Sequence, residues 1–527
     1  MRLTRDKRLD YLILIAILGL SYLFFFHRLG GIGLIGPDEP RYASVARHMY
    51  FSGDYITPQL LGHPWFEKPP LMYWGAAFAS VVFGVGEFAA RFPSALGAFL
   101  TVLAVYACCR RLYSRGVGFL AALMLASSIG FFAFARAASM DMPLTVCLTL
   151  ALCCFLLGYH ESGATRRWWF YGFYAALGLG TLAKGPIAIV LPVLSLGLFL
   201  AVRRQWMEWK EWHPEGAAAG LVVALPWYVA VTWINGFEFI DVFIINQNLE
   251  RFVSTIHGHD RPIYYYLPVF LLLTFPWTFL LIPALRRRFG LAEQILVLWA
   301  LVPLVLFSMA GSKLPGYILP VVPPFAMLCA RELAGPASRD YRLAVFCEAG
   351  VLVSIAIAVG FFGSTWNVDS YVNIAVVAWV TLGLAGVLAA IGFWLEPGFL
   401  AGFNATIVAL SVLAAIMFVF PRVDPTETMR AWEPALDRFV SVKQIVFLYR
   451  PARWMEYGLQ YYRDGQARKI DSPQDLVEIV APSKPVLCIA EDSMLDEITH
   501  IGGIDIEIVH AIGKQSAFWV KSSTQRH

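Results

Sequence analysis

The chain has 527 residues, of which 58% are hydrophobic, 15% aromatic and only 15% charged, with a mean hydropathy of +0.62. Soluble globular domains carry about a quarter of charged residues, so the composition excludes that class and describes an integral membrane protein. The net charge of +4 is too small to suggest a nucleic-acid partner, and basic cytoplasmic loops account for it.

The chain opens with MRLTRDKR and an apolar run near 11–28; no small-residue cleavage site follows Phe26. It therefore reads as an uncleaved first span rather than a signal peptide. Further runs of span length lie near 87–112, 116–135, 141–159, 168–183, 186–202 and 217–235. Six more lie near 264–284, 291–310, 316–333, 342–362, 371–395 and 399–420. The stretch 71–85, LMYWGAAFASVVFGV, is ambiguous by length. If it crossed, Arg110, Arg111 and Arg115 would sit outside. As an interfacial helix it leaves them inside. Arg166–Arg167, Arg203–Arg204–Lys210, Arg286–Arg287–Arg288 and Arg331–Arg339–Arg342 then fall on the same side. The charge rule thus gives thirteen spans, with the N-terminus inside and the C-terminus outside.

From about Arg422 the composition turns mixed and polar. VKQIVFLYR, PARWMEYGLQYYRDG, SPQDLVEIV and PVLCIAEDS read as strand, helix, helix and strand; IEIVH and AFWVKS read as two more strands. The expected organisation is a transmembrane domain over 1–420, with a polar outer loop over about 29–86, and an outer α/β domain over 421–527. The eight cysteines show no metal-knuckle spacing and imply no disulfide framework.

This topology sorts the unusual polar residues onto one face. The stretch Gly36–Pro70, GPDEPRYASVARHMYFSGDYITPQLLGHPWFEKPP, carries Asp38, Glu39, Arg41, Arg47, Asp54, Glu67 and Lys68 between two apolar blocks. Asp141 in ARAASMDMPLT, Lys184 in TLAKGP, the loop from about Gly236 to Pro262 with His257, His259 and Arg261, and Lys313 and Tyr317 in GSKLPGYILP fall on the same side. Ionisable residues at membrane boundaries are costly and mark function by default. Bland readings stand beside several of them. Arg47 fits the solvated face of a helix, Lys184 a snorkelling helix end, and the two histidines ordinary loop positions. Asp38–Glu39 fits N-terminal capping, but a cap needs one acidic residue rather than two, and it leaves FEKPP unexplained.

Carboxylates beside lysine and arginine suit a reaction in which an anionic phosphate leaves while a nucleophile is oriented or deprotonated. A carboxylate with histidine would alternatively hold a divalent cation. The outer face has no ATP, so group transfer there needs a donor already activated, and a lipid-linked phosphosugar fits. No Walker A, G-x-S-x-G or H-E-x-x-H motif is present. A transporter or flippase for such a lipid would place its polar residues near the midplane beside broken helices. These spans keep them at one face.

The stretch GPDEPRYASVARHMYFSGDYITPQLLGHPWFEKPPLMYW, followed by VGEFAARFPSALGAFL, resembles the first outer loop and second span of polyprenyl-phosphate-sugar-dependent glycosyltransferases of the GT-C fold. Within that group it most resembles the bacterial 4-amino-4-deoxy-L-arabinose lipid A transferases, which are related to the protein O-mannosyltransferases. ASMDMPLT, LAKGP, RFVSTIHGHDRPIYYYLP and GSKLPGYILP continue the match in order, so it covers residues 8–335. The resemblance implies an inverting transfer of a sugar from undecaprenyl phosphate at the outer face of a bacterial inner membrane. The acceptor it implies is a lipid A phosphate, with a protein or polysaccharide as the alternative.

By the same carry-over Asp38 is the main catalytic carboxylate, with Glu39 and Asp141 beside it. Lys68, Arg41, Arg261, Lys184 and Tyr317 are the implied carrier-phosphate residues, and Tyr42 and Trp65 line the substrate pocket. Glu67 and His257 are implied ligands of a divalent metal (Zn, Mg or Mn). Trp65 stands where the family pattern has a tyrosine, and residues 340–527 match it weakly.

Overall fold

In the computed structural model the protein is described over residues 5–250, 261–362, 371–394, 396–414, 416–417, 420–480 and 485–523. The first half runs α1 (Arg5–Ser21), α2 (Asp38–Ser52), α3 (Leu71–Phe83), α4 (Glu87–Leu112), α5 (Arg115–Ala126), α6 (Ile129–Ala135), α7 (Asp141–His160), α8 (Gly163–Lys184), α9 (Ile187–Arg203) and α10 (Ala217–Asn235). Six helices among the described residues are long and apolar enough to cross a membrane, and two bent pairs raise that to eight. The protein is therefore a multi-pass membrane protein. α3 is different. Its thirteen residues rise about 20 Å, short of the ~30 Å hydrocarbon core.

The structure bends two of the spans that the sequence reads as continuous. α5 and α6 meet at 67°, and the helices Ile263–Thr274 and Thr278–Arg286 meet at 108°. At the first break Ser127 and Ser128 turn their hydroxyls back onto the carbonyls of Leu123 and Met124 (2.6 and 2.8 Å), a contact that competes with the helix ladder. At the second, Pro276 has no N–H to give. The breaks then satisfy each other, because the Ile129 N–H donates to the Phe275 carbonyl at 2.9 Å and the Trp277 indole to the Ser127 hydroxyl at 3.1 Å. Apolar periodicity records neither event. The expected span 316–333 likewise begins as a 3₁₀ turn, Pro315–Val321, before the helix Val322–Leu333.

The bundle has two chemically distinct ends. At one, Arg110 and Arg115 pair with Asp10, Arg111 with Glu161, Arg166 with Glu211, Arg203 with Glu208 and Arg331 with Glu293. These are the arginines the charge rule groups together. At the opposite ends of the same helices stand Asp141, which opens α7, and Lys184, which closes α8.

That second end is fixed by a buried ion pair. Glu39 on α2 grips Arg91 on α4 through both oxygens, at 2.9 Å to Nε and 2.6 Å to Nη2. The same carboxylate accepts the Ile35 and Ala138 N–H groups, each at 2.7 Å. The arginine donates to the carbonyls of Leu29, Ile32 and Gly33 (3.1, 2.7 and 2.6 Å). One pair thus ties the loop before α2, α2 itself, α4 and the segment leading into α7.

Residues 446–522 form a mixed five-stranded sheet. Its strands are β1 (Val446–Tyr449), β2 (Ala467–Ile470), β3 (Val486–Glu491), β4 (Ile504–Ile512) and β5 (Gln515–Ser522), in the order β2-β1-β3-β5-β4. β2 is the strand sequence reading misses; ARKI alternates too briefly to register. Leu448, Ile489, Met455 and Leu459 pack on one face and Cys488, Phe518, Val520 and Leu476 on the other, so Cys488 is a core residue. This unit, together with the preceding helix Phe420–Glu427, docks on the loop before α2, where the Gly33 N–H donates to Asp424 at 2.7 Å and the Leu34 N–H to the Tyr462 hydroxyl at 3.0 Å. A β-carbon on Gly33 would come within 2.9 Å of Arg430 and of Thr428 side-chain carbons, so only glycine permits this approach.

Removing one partner of a buried pair leaves the other uncompensated. Arg91→Leu should therefore destabilise the folded protein by about 3–5 kcal/mol, read as a lowered thermal midpoint in detergent. Arg91→Lys, which lacks the planar fork, should recover only part of that loss.

Candidate active site

α2 begins directly after a left-handed turn at Gly36 (φ 64°), and its first turn holds Asp38 and Glu39, where the helix dipole favours negative charge. The two diverge. Glu39 faces inward to Arg91, whereas Asp38 keeps half of its side chain exposed and pairs with Arg41. Arg41 is buried, donates to the Pro37 carbonyl at 3.1 Å and reaches Glu67 at 3.7 Å. Burial pulls its guanidinium pKa down, but Asp38, Tyr42 and Glu67 outweigh that and hold it above the ordinary value.

The connection after α2 is folded back by its own polar groups. Asp54 caps a tight turn by accepting the Ile56 and Thr57 N–H groups (2.9 and 3.1 Å). The Trp65 N–H closes onto the Pro58 carbonyl at 2.7 Å, and the indoles of Trp74 and Trp227 hold the carbonyls of Tyr55 and Ile56 (2.7 and 3.0 Å). This return brings Glu67 and Lys68 beside the start of α2. The Lys68 ammonium donates to the Glu67 carbonyl at 3.0 Å.

Asp141 opens α7 and pairs with Lys184, accepting also from the Ser139 hydroxyl at 3.1 Å. Lys184 lies 4.5 Å from the Tyr317 ring centroid. It is a paired cation, not a snorkelling one. The backbone of Gly316 packs so closely on Asp141 that an added β-carbon would overlap the carboxylate and reach Phe134 at 2.9 Å.

Asp38, Glu39, Arg41, Tyr42, Glu67, Lys68, Asp141, Lys184 and Tyr317 all line one cavity of about 360 Å³, within the usual range for small-ligand sites. Three of the twelve residues chosen from sequence are not among its lining. Trp65 stands behind it, its ring 5.6 Å from the Arg41 guanidinium. Arg261 is exposed, and its carbonyl accepts from the buried Lys313 ammonium at 3.0 Å. His257 lies outside the described residues. Arg47 is a docking residue rather than a solvated one, donating to the Tyr461 carbonyl at 2.8 Å and pairing with Asp464 at 3.1 Å. Ser139 and Gly316 line the cavity without having been chosen; a glycine inside GSKLPGYILP is the one signal sequence offers for either.

Among the described residues no three His, Cys, Asp or Glu side chains converge on a metal position. Glu67 is turned to Arg41, and Asp38 and Asp141 each hold a cation of their own. Among the described residues these carboxylates are ion-paired rather than gathered as a ligand set.

The architecture is that of the GT-C membrane glycosyltransferases. It matches ArnT from Cupriavidus metallidurans bound to undecaprenyl phosphate with a TM-score of 0.80 at 23% identity, over 97% of both chains. The Archaeoglobus fulgidus oligosaccharyltransferase tethered to an acceptor peptide follows at 0.51 and 13%, over 92% of this chain and 69% of that one. A family model described as dolichyl-phosphate-mannose-protein mannosyltransferase matches residues 67–229. The undecaprenyl phosphate-α-4-amino-4-deoxy-L-arabinose arabinosyl transferase of Edwardsiella ictaluri is 34% identical over 337 residues, 62% of this chain and 60% of that protein's length. The transferase of that name from Yersinia enterocolitica is 31% identical over 373 residues, covering 66% and 67%. The chain belongs to this family of arabinosyl transferases.

Tyr42 lies buried against Tyr73, ring centroids 6.1 Å apart, and burial, with Asp38 adding to it, pushes its hydroxyl well above the ordinary value of 10. Below pH 10 the phenol is neutral folded and unfolded alike, so it adds no pH dependence. Above that, the folded state must retain a proton the unfolded chain releases, and stability falls as pH rises. Tyr42→Phe should remove about one proton's worth of that alkaline slope, measured by thermal unfolding between about pH 9 and 11.

Proposed function

We propose that the protein is an inner-membrane glycosyltransferase that moves a sugar, 4-amino-4-deoxy-L-arabinose or a close relative, from undecaprenyl phosphate to a lipid A phosphate at the periplasmic face. One observation carries this reading. Two carboxylates, Asp38 and Asp141, and three cations, Arg41, Lys68 and Lys184, converge on one cavity at the end of the bundle opposite the arginine-rich loops. The donor is supported by the family and by the likeness to a protein solved with undecaprenyl phosphate. The thirteen spans and a periplasmic α/β domain over 421–527 belong to the same reading.

The chemistry follows from charge. An oxygen of the acceptor phosphate attacks the anomeric carbon from the face opposite the carrier, and the bond from that carbon to the carrier phosphate oxygen breaks, with inversion. A phosphate monoester becomes a diester while the carrier diester becomes a monoester. Negative charge therefore moves from acceptor to carrier, and no proton must be removed. The cations Lys68, Arg41 and Lys184 stabilise the charge gathering on the carrier, and Asp38 orients the acceptor or the sugar. A hydroxyl acceptor on a protein or polysaccharide would require Asp38 to take up its proton. The family model matched over 67–229 takes its description from protein mannosylation and makes that the second reading.

Vesicles containing the protein, undecaprenyl-phosphate aminoarabinose and lipid A test both. Mass spectrometry should show lipid A gaining one aminoarabinose, and Asp38→Asn should abolish the gain in protein that remains folded. Unmodified lipid A beside a labelled protein or glycan would select the second reading. Gly316→Ala should displace the Asp141 carboxylate and slow turnover on the order of 10²-fold, with little change in expression.

A further inference from the structure

Arg41 is a buried cation in the cavity that touches two of its carboxylates, Asp38 and Glu67. All of those contacts lie at the edge of its guanidinium. A guanidinium offers hydrogen bonds only in its plane, so its two faces need apolar or π cover when water is excluded. Trp65 supplies a ring at 5.6 Å from the same outer loop. The second ring comes from the far end of the chain: Tyr457 lies 5.2 Å from the Arg41 guanidinium carbon.

Tyr457 sits on the helix Arg453–Tyr462 of the C-terminal unit. Its ring is half-buried and packs with the cluster of Tyr42, Tyr73 and Tyr461. Arg453, from its own helix, approaches the same ring at 6.0 Å. The helix is held in place independently of this contact. Arg47 takes the Tyr461 carbonyl and stacks on its ring at 4.7 Å, and the Tyr462 hydroxyl donates to Glu87 at 3.0 Å. The placement of Tyr457 is therefore fixed by neighbours outside the cavity, and Arg41 is what it serves.

We infer that the C-terminal unit completes the active site, with Tyr457 as the positioning residue that holds Arg41 in the orientation bridging Asp38 and Glu67. This rests on the glycosyl-transfer reading above. Its action is through Arg41 and not on substrate, so its loss reduces kcat and leaves the KM for the lipid-linked donor nearly unchanged. The ring face is what matters, so phenylalanine suffices.

The test uses the full-length protein in vesicles, as wild type, Tyr457→Leu and Tyr457→Phe, with two readouts. In the transfer assay Tyr457→Leu should lower kcat roughly three- to tenfold, and Tyr457→Phe should restore it to within about twofold. In the second, arylglyoxal labelling of arginines followed by peptide mass spectrometry should find Arg41 labelled several-fold faster in Tyr457→Leu than in the other two. Equal kcat for leucine and wild type, or a phenylalanine variant as slow as the leucine one, overturns the inference. So does an unchanged Arg41 labelling rate. If wild type transfers no sugar, the functional reading falls while the labelling still decides whether Tyr457 holds Arg41. A Tyr457→Leu protein with a lowered thermal midpoint is judged through Tyr457→Ile, whose labelling must also rise.

Discussion

The contact between Glu39 and Arg91 is the constraint on which the polar end of this molecule depends. A buried ion pair is a poor source of net stability, because desolvation of both groups cancels much of their attraction. Its effect here is geometric. The two side chains satisfy three loop carbonyls and two backbone N–H groups, all of which would otherwise be buried without partners at a cost of about 1–3 kcal/mol each. An irregular loop can thus run through the interior at the end of a helical bundle, which hydrocarbon surroundings would forbid. Asp38 stands one residue before the pinned position and Asp141 three residues after pinned Ala138, so one clamp sets the distance between these two of the cavity's carboxylates.

The division of charge follows from that placement. At the arginine-rich end the ion pairs staple helix ends, and the exposed ones, such as Arg111 with Glu161, contribute little each. At the cavity end Glu39 with Arg91 and Asp141 with Lys184 are more deeply buried and tie α2 to α4 and α7 to α8. Charges held in such a low-dielectric setting act more strongly on an anion that enters. The same residues would be ordinary on a wet surface. Burial makes them chemical.

Much of this was legible beforehand. The Gly36–Pro70 stretch, Asp141, Lys184 and Tyr317 announce themselves as ionisable or polar groups where apolar residues are expected, and nine residues chosen on that ground or through the family resemblance line one cavity. What stayed hidden shares a physical cause. Glu39 and Asp38 are adjacent and identical in kind to any pattern, and only the helix turn separates a clamp from an exposed carboxylate. Arg91 lies in ARFPSALGAFL as one more cation near a span end, indistinguishable from a snorkelling side chain until its partners are known. The bends at Ser127–Ser128 and Pro276 escape because hydropathy averages over the residues that break a helix. Arg261 was chosen for its charge, yet it is the carbonyl that the buried Lys313 holds, a contact no side-chain pattern encodes.

The position of Arg41 shows why the C-terminal part of the chain still bears on the first outer loop. An arginine between two carboxylates is stable in many orientations, since either oxygen pair can rotate with it. The rings of Trp65 and Tyr457, at 5.6 and 5.2 Å from its guanidinium carbon, limit that freedom. One ring comes from the loop that carries the carboxylates and the other from a domain folded more than 400 residues later in the chain. The loop that carries Arg41 is thus contacted by the C-terminal unit at Gly33 and Leu34 as well as at Arg41. Two parts of the chain far apart in sequence are thereby joined at one side chain.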